Sequence, residues 1–163
     1  ISTGKGFNGT MTLPAEYGIG IAVDFEDIRL TADYTRQDWT ETDFYKKTAA
    51  NFANQETYKF GGEIKPDAYS TQYLKIVHYR FGGYYRNTYL QLPVGDGKYK
   101  QLKSYGLTAG LFLPVPNTGT MFNLGFDLGT FGTTADNLLA ENYLTINFGF
   151  VFKDIWFRKR KFN

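Results

Sequence analysis

The sequence predicts an all-β protein: an antiparallel transmembrane β-barrel sheet of about seven strands, forming part of a larger barrel. Three observations carry this. Apolar and polar residues alternate strictly over stretches of about nine to eleven residues, the length a tilted strand needs to cross a bilayer. The connections between stretches are by turns short and long, as in bacterial outer-membrane barrels. Aromatic residues make up 18% of the chain, largely 15 Phe and 13 Tyr, while no 18-residue apolar run offers a transmembrane helix.

Each element follows from its alternation. Residues 17–25 place Tyr17, Ile19, Ile21, Val23 and Phe25 on one face, with Gly18, Gly20, Ala22 and Asp24 on the other. Glu26-Asp27 breaks the strand, and Ile28, Leu30, Ala32 and Tyr34 resume the apolar row opposite Arg29, Thr31 and Asp33, which predicts a hairpin. A long polar segment, 36–57, follows, with Trp39 near its start. Strand 58–65 sets Tyr58, Phe60, Gly62 and Ile64 against Lys59 and Glu63, and Pro66-Asp67 stops it.

Strand 73–85 carries Val77, Tyr79, Phe81, Gly83 and Tyr85 in one row, and Ile76, His78, Arg80, Gly82 and Tyr84 in the other. A second long connection, 86–103, contains Pro93 and the turn-like Gly95-Asp96-Gly97. Strand 105–115 alternates Tyr105, Leu107, Ala109, Leu111 and Leu113 with Gly106, Thr108, Gly110 and Phe112, and a Pro-rich turn from Pro114 to Gly119 closes it. Strand 122–130 sets Phe122, Leu124, Phe126 and Leu128 against Asn123, Gly125, Asp127 and Gly129. After a third longer loop, 131–140, the stretch 141–152 is the most regular: Leu144, Ile146, Phe148, Phe150 and Phe152 occupy every second position.

Composition narrows the function. A formal charge of +2 is too small to argue for nucleic acid, and the absence of cysteine removes thiolate nucleophiles, thiolate metal sites and disulfides. The single His78 has Ile76 and Arg80 as same-face neighbours and no serine lies within a strand interior, so neither catalysis nor a cofactor is expected. A soluble β-sandwich also alternates, but the large apolar rows here exceed what one domain of 163 residues can bury. The whole chain, 1–163, reads as one domain located in the bacterial outer membrane, with lipid against its apolar face.

If short turns are periplasmic and long loops extracellular, the last strand descends and the C-terminus is periplasmic. Tyr34, Tyr58, Tyr85 and Tyr105 then sit near the extracellular ends of their strands as an aromatic girdle. Trp156, beside Phe157 and the basic residues 158–161, reads as an anchor at the opposite interface. An odd strand number cannot close in lipid, so pairing at both edges with a remaining half of the barrel is expected. Residues 7–13 could supply a further strand, but Pro14 and the glycines around it favour a loop. A chain starting at Ile1 is expected either to have lost a signal or to be the C-terminal part of something longer.

Several short motifs resemble FadL-type outer-membrane transporters of long-chain fatty acids: Leu13-Pro14 ahead of Gly18 and Gly20, then Asp33 and Trp39. G-F-D-L-G at 125–129, G-T-T at 132–134, E-N-Y at 141–143 and W-F from Trp156 resemble one branch of that family. The resemblance implies a fourteen-stranded barrel of which this chain supplies the last seven strands. It implies passive uptake of hydrophobic small molecules.

On the interior face, Arg29, Asp33, Glu63, His78, Arg80, Phe112 and Asp127 are the candidate lumen residues. They could meet a carboxylate headgroup, Arg80 by a bidentate contact; the alternative is an ion-pair network that fills the interior. Gly82, Gly106, Gly110, Gly125, Gly129 and Gly149 line the same face, where they ease bending or close packing. A second functional expectation is a barrel that acts as a docking or scaffold component of an outer-membrane export assembly, with other outer-membrane proteins as partners. The long segments 36–57 and 86–103 would then be the partner surfaces.

Overall fold

Strands with one apolar and one polar face pair so that like faces coincide, and here they do so in simple sequence order. A computed structural model describes residues 13–40, 42–44, 47–48, 52–64, 66–67, 69–95, 97–116 and 118–152. The strands are β1 (Glu16–Asp24), β2 (Ile28–Asp38), a two-residue pair β3 (Asp43–Phe44) and β4 (Lys47–Thr48), and β5 (Asn54–Ile64). After one helical turn, α1 (Tyr73–Ile76), come β6 (His78–Pro93), β7 (Tyr99–Pro114), β8 (Met121–Gly132) and β9 (Ala140–Val151). β3 and β4 pair with each other; the rest form a single seven-stranded antiparallel sheet, β1-β2-β5-β6-β7-β8-β9.

The sheet is open. β1 and β9 are its edges and do not pair, so the described residues do not form the barrel that the alternation predicts. The reason is geometric: in a seven-stranded meander the first and last strands run the same way, and closure would demand a parallel pair in an otherwise antiparallel sheet.

Two expected boundaries shift. Segment 86–103 is mostly strand: β6 and β7 each run 16 residues and form one long hairpin. Its ladder slips between Asn87 and Gln91, resumes at Gln91–Gln101, and ends at Pro93–Tyr99. Val94 N–H donates to the Lys98 carbonyl at 3.0 Å to close the turn, with Gly95 and Gly97 at φ 94° and 71°. Conversely, strand 73–85 begins only at His78, because Tyr73–Ile76 coils into α1. The Asp67 amide donates to the Lys75 carbonyl and the Tyr79 hydroxyl to the Leu74 carbonyl, which hold Asp67 and the α1 turn back against β6. Connection lengths therefore separate the two ends of the sheet less cleanly than the sequence suggests.

A single layer has little to bury. Among the described residues only Ala53, Val77 and Leu102 are buried apolar side chains. The apolar face is bare: Ile19 is 75% exposed, Phe148 82% and Leu107 65%. Within it, Phe60 lies over Gly83 and Phe81 over Gly62, each ring filling the space its cross-strand glycine leaves.

Candidate functional site

Register builds three arrangements on this sheet. On the apolar face, Tyr34, Tyr58, Tyr85 and Tyr105 fall in one cross-strand row over β2, β5, β6 and β7. The Tyr34 and Tyr58 rings lie 5.0 Å apart, those of Tyr58 and Tyr85 6.5 Å, and Lys103 Nζ sits 5.7 Å from the Tyr85 centroid. Below this row follow purely apolar or small rows, such as Ile21-Ala32-Phe60-Gly83-Leu107-Leu128-Leu144.

On the polar face, Asp24, Arg29, Glu63 and Arg80 occupy one row of alternating charge near the β1–β2 turn. Arg29 Nε donates to Asp24 Oδ1 at 2.9 Å. Glu63 Oε1 accepts from Arg80 Nη2 at 3.1 Å and lies 2.9 Å from His78 Nδ1. The Arg80 guanidinium also stacks over Phe112, 4.2 Å from its centroid. Ion pairs thereby tie β1 to β2 and β5 to β6, and the cation–π contact ties β6 to β7.

Farther along this face, Tyr84 of β6 and Tyr143 of β9 meet hydroxyl to hydroxyl, and the Tyr84 hydroxyl donates to Asp127 Oδ1 at 3.3 Å. The strands between them present Gly106 and Gly129, which are in register with Tyr84 and Tyr143. A Cβ on Gly129 would stand 2.4 Å from the Tyr143 hydroxyl, so these glycines are the floor that the two phenols cross.

The third arrangement lies beyond the tyrosine row. Trp39 stacks on Tyr89 (centroids 4.6 Å, interplanar 25°), and Phe52 meets both rings edge-on at 6.3 and 5.4 Å. Trp39 Nε1 donates to Gln37, whose own amide donates to the Pro14 carbonyl. The Ala53 amide donates to the Tyr89 carbonyl at 2.9 Å, and Gln101 Nε2 donates to the carbonyls of Asn54 and Thr88, both at 2.8 Å. With Ala53, Leu102, Thr42 and Thr88 buried, the two ends of the β2–β5 connection, at Trp39 and at Phe52-Ala53, are packed onto the β6–β7 hairpin. At its start, hydrogen bonds from the Thr40 hydroxyl and amide to Asp38 hold that carboxyl below the usual carboxylate range. Lys100 pairs with Asp136 of the β8–β9 connection, joining a third segment.

Of the candidate lumen residues, the structure brings together Arg29, Glu63, His78, Arg80 and Phe112. Asp127 belongs instead to the Tyr84–Tyr143 bridge, and Asp33 sits in the register row of Lys59 and Tyr84, its carboxylate over Gly20 of β1. Trp156 lies outside the described residues, as do residues 7–12 and the basic tail. Sequence reasoning missed Asp24, Tyr84, Tyr143 and the Trp39–Phe52–Tyr89 cluster. Asp24 could have been found as the hairpin partner of Arg29; Tyr89 could not, because the bulge before Gln91 hides its alternation.

An open antiparallel sheet with one bare apolar face, one ion-paired polar face and an aromatic cluster at one end defines an all-β protein built on a single seven-stranded sheet. The chain belongs to the BamG family, whose model matches residues 3–163. That is a family of its own and not a FadL family, so the FadL resemblance is overturned. Comparison with curated proteins and with solved structures gives no match. The motifs misled for a physical reason. Gly132 is required by the backbone, with φ 92° and a Cβ that would stand 2.4 Å from the Leu139 carbonyl, while Gly20 and Gly129 lie under the side chains of Asp33 and Tyr143. Trp39 is required by its stack on Tyr89.

Proposed function

We propose that this chain is part of an outer-membrane barrel wall and serves, without catalysis, as a docking component in outer-membrane protein assembly. Membership of the BamG family supports the assembly role and an outer-membrane location. The bare apolar face supports the membrane reading. Exposed apolar patches on soluble monomers reach only about 300–600 Å², whereas here a whole sheet face of Leu, Ile, Phe and Tyr is uncovered. Lipid is the solvent that suits it, and the tyrosine row suits a headgroup boundary. Both edges, β1 and β9, would then pair with strands of the rest of the wall, since open edges in hydrocarbon leave backbone groups unsatisfied.

The single observation that carries docking over conduction is the packed projection. Its rings hold the β6–β7 hairpin against Trp39 and Phe52 at the two ends of the β2–β5 connection, the kind of preformed surface that lowers the cost of binding a protein. Uptake of fatty acids has no comparable support, because the matching family is not a FadL family. The test is affinity purification of the tagged chain from detergent-extracted outer membranes, with residues 88–101 intact or replaced by a short turn. Loss of co-purifying outer-membrane proteins in the shortened variant is expected. An unchanged set of partners, with impaired uptake of a hydrophobic compound, would reject the proposal.

A further inference from the structure

The charge ladder on the polar face neutralises itself, but two cations nearer the tyrosine row do not. Lys59 of β5 is in register with Tyr84, and Arg86 of β6 with Thr57 and Ser104. Among the described residues, neither side chain makes an ion pair. Arg86 Nε is enclosed and has no hydrogen-bond partner. An enclosed N–H on a charged group is costly when no acceptor meets it.

Lys59 and Arg86 border one hollow with Tyr84, Ser104, Thr108 and Asp127. Its own acid, Asp127, accepts from Tyr84 at 3.3 Å and forms an ion pair with neither cation. Asp33, in register with Lys59, has its carboxylate over Gly20 of β1. Buried Thr57 and Ser104 flank Arg86 and fix its root.

We infer that Lys59 and Arg86 form a receptor for an acidic side chain, an Asp or Glu on a partner's segment that packs against the polar face. The guanidinium fork accommodates a carboxylate in the plane, and the ammonium adds a point charge beside it. A segment, rather than a free anion, fits the surroundings. The hollow opens broadly onto the face, where water competes for a small free ion, whereas a carboxylate carried on a folded segment arrives with its position already fixed. The inference rests on the assembly reading, since the acid is supplied by a partner.

The experiment uses the complex extracted from native membranes and a water-soluble carbodiimide, which joins an amine to a carboxylate in direct contact. Peptide mass spectrometry reads the links, and the Lys100–Asp136 pair is the internal positive control. The expected result is Lys59 linked to an Asp or Glu of a co-purifying protein. Arg86→Gln should lower that link about tenfold, the loss of one charge-assisted bond, and Arg86→Lys should lower it less. Lys59→Arg should abolish it without changing what co-purifies. An unlinked Lys59 beside a linked Lys100, or a link only to an acid of this chain, overturns the inference while co-purification leaves the assembly reading standing. Absence of any co-purifying partner overturns both.

Discussion

Tyr84 on β6 and Tyr143 on β9 touch hydroxyl to hydroxyl across two intervening strands, above Gly106 and Gly129. This strap makes the two glycines unequal. The three atoms nearest a Cβ at Gly129 all belong to the phenols of Tyr143 and Tyr84, which can move, whereas one at Gly106 also stands 2.7 Å from the Leu128 carbonyl. Gly106→Ala should therefore destabilise the protein by about 1–3 kcal/mol and Gly129→Ala by less. Combining Gly129→Ala with Tyr143→Ser should recover part of the loss. Urea unfolding in detergent micelles gives the order; equal costs at both glycines would contradict it.

Glu63 serves two donors, His78 and Arg80, and is more enclosed than either. Glu63→Gln should cost about 1–3 kcal/mol, because it strips the acceptor charge from both. Arg80→Ala should cost less, since Glu63 keeps His78. Arg80→Lys should recover the charge but not the stack on Phe112. Denaturation midpoints of the three variants check this ranking, which a lumen site serving only a ligand would not produce.

Tyr89 is the shared neighbour of Trp39 and Phe52. Tyr89→Ala should release the β2–β5 connection, with new protease cleavage between Trp39 and Ala53, while the sheet below stays resistant. The chain has two tryptophans, so a Trp156→Phe background isolates the Trp39 emission, which should shift to longer wavelength. Unchanged cleavage and emission would remove the basis for a packed projection.

The Phe60–Gly83 and Phe81–Gly62 pairs predict a size limit on the apolar face. A Cβ at Gly83 would come 2.5 Å from the Phe60 ring, and one at Gly62 2.6 Å from Phe81. Gly83→Val should cost about 1–3 kcal/mol, and Gly83→Val with Phe60→Ala should recover most of it. The same thermal or urea midpoints, read as a double-mutant cycle, measure the coupling.

The parts legible in the sequence were those set by period two. The strand faces, the row of Tyr34, Tyr58, Tyr85 and Tyr105, and the seven-strand count all follow from alternation and register parity. What escaped depended on departures from that period. The bulge after Asn87 disguised the upper halves of β6 and β7, and Tyr73–Ile76 alternate like a strand yet coil into α1 under the bonds from Asp67 and Tyr79. Contacts spanning several strands escaped for another reason. The Tyr84–Tyr143 strap and the grouping of Arg80 with Phe112 need a register that no single strand encodes.

β6 is the middle strand of the sheet, and with β7 it runs unbroken in direction from the Glu63–Arg80 pair to the turn at Gly95. A force applied at that tip is consequently delivered as a tilt of the central strands, as along a lever, instead of being absorbed by slack chain. The slip between Asn87 and Gln91 is the pivot, and the Trp39–Tyr89 stack sits beside it like a clamp. A partner seated on the tip would thus set the angle at which the central strands of the sheet stand.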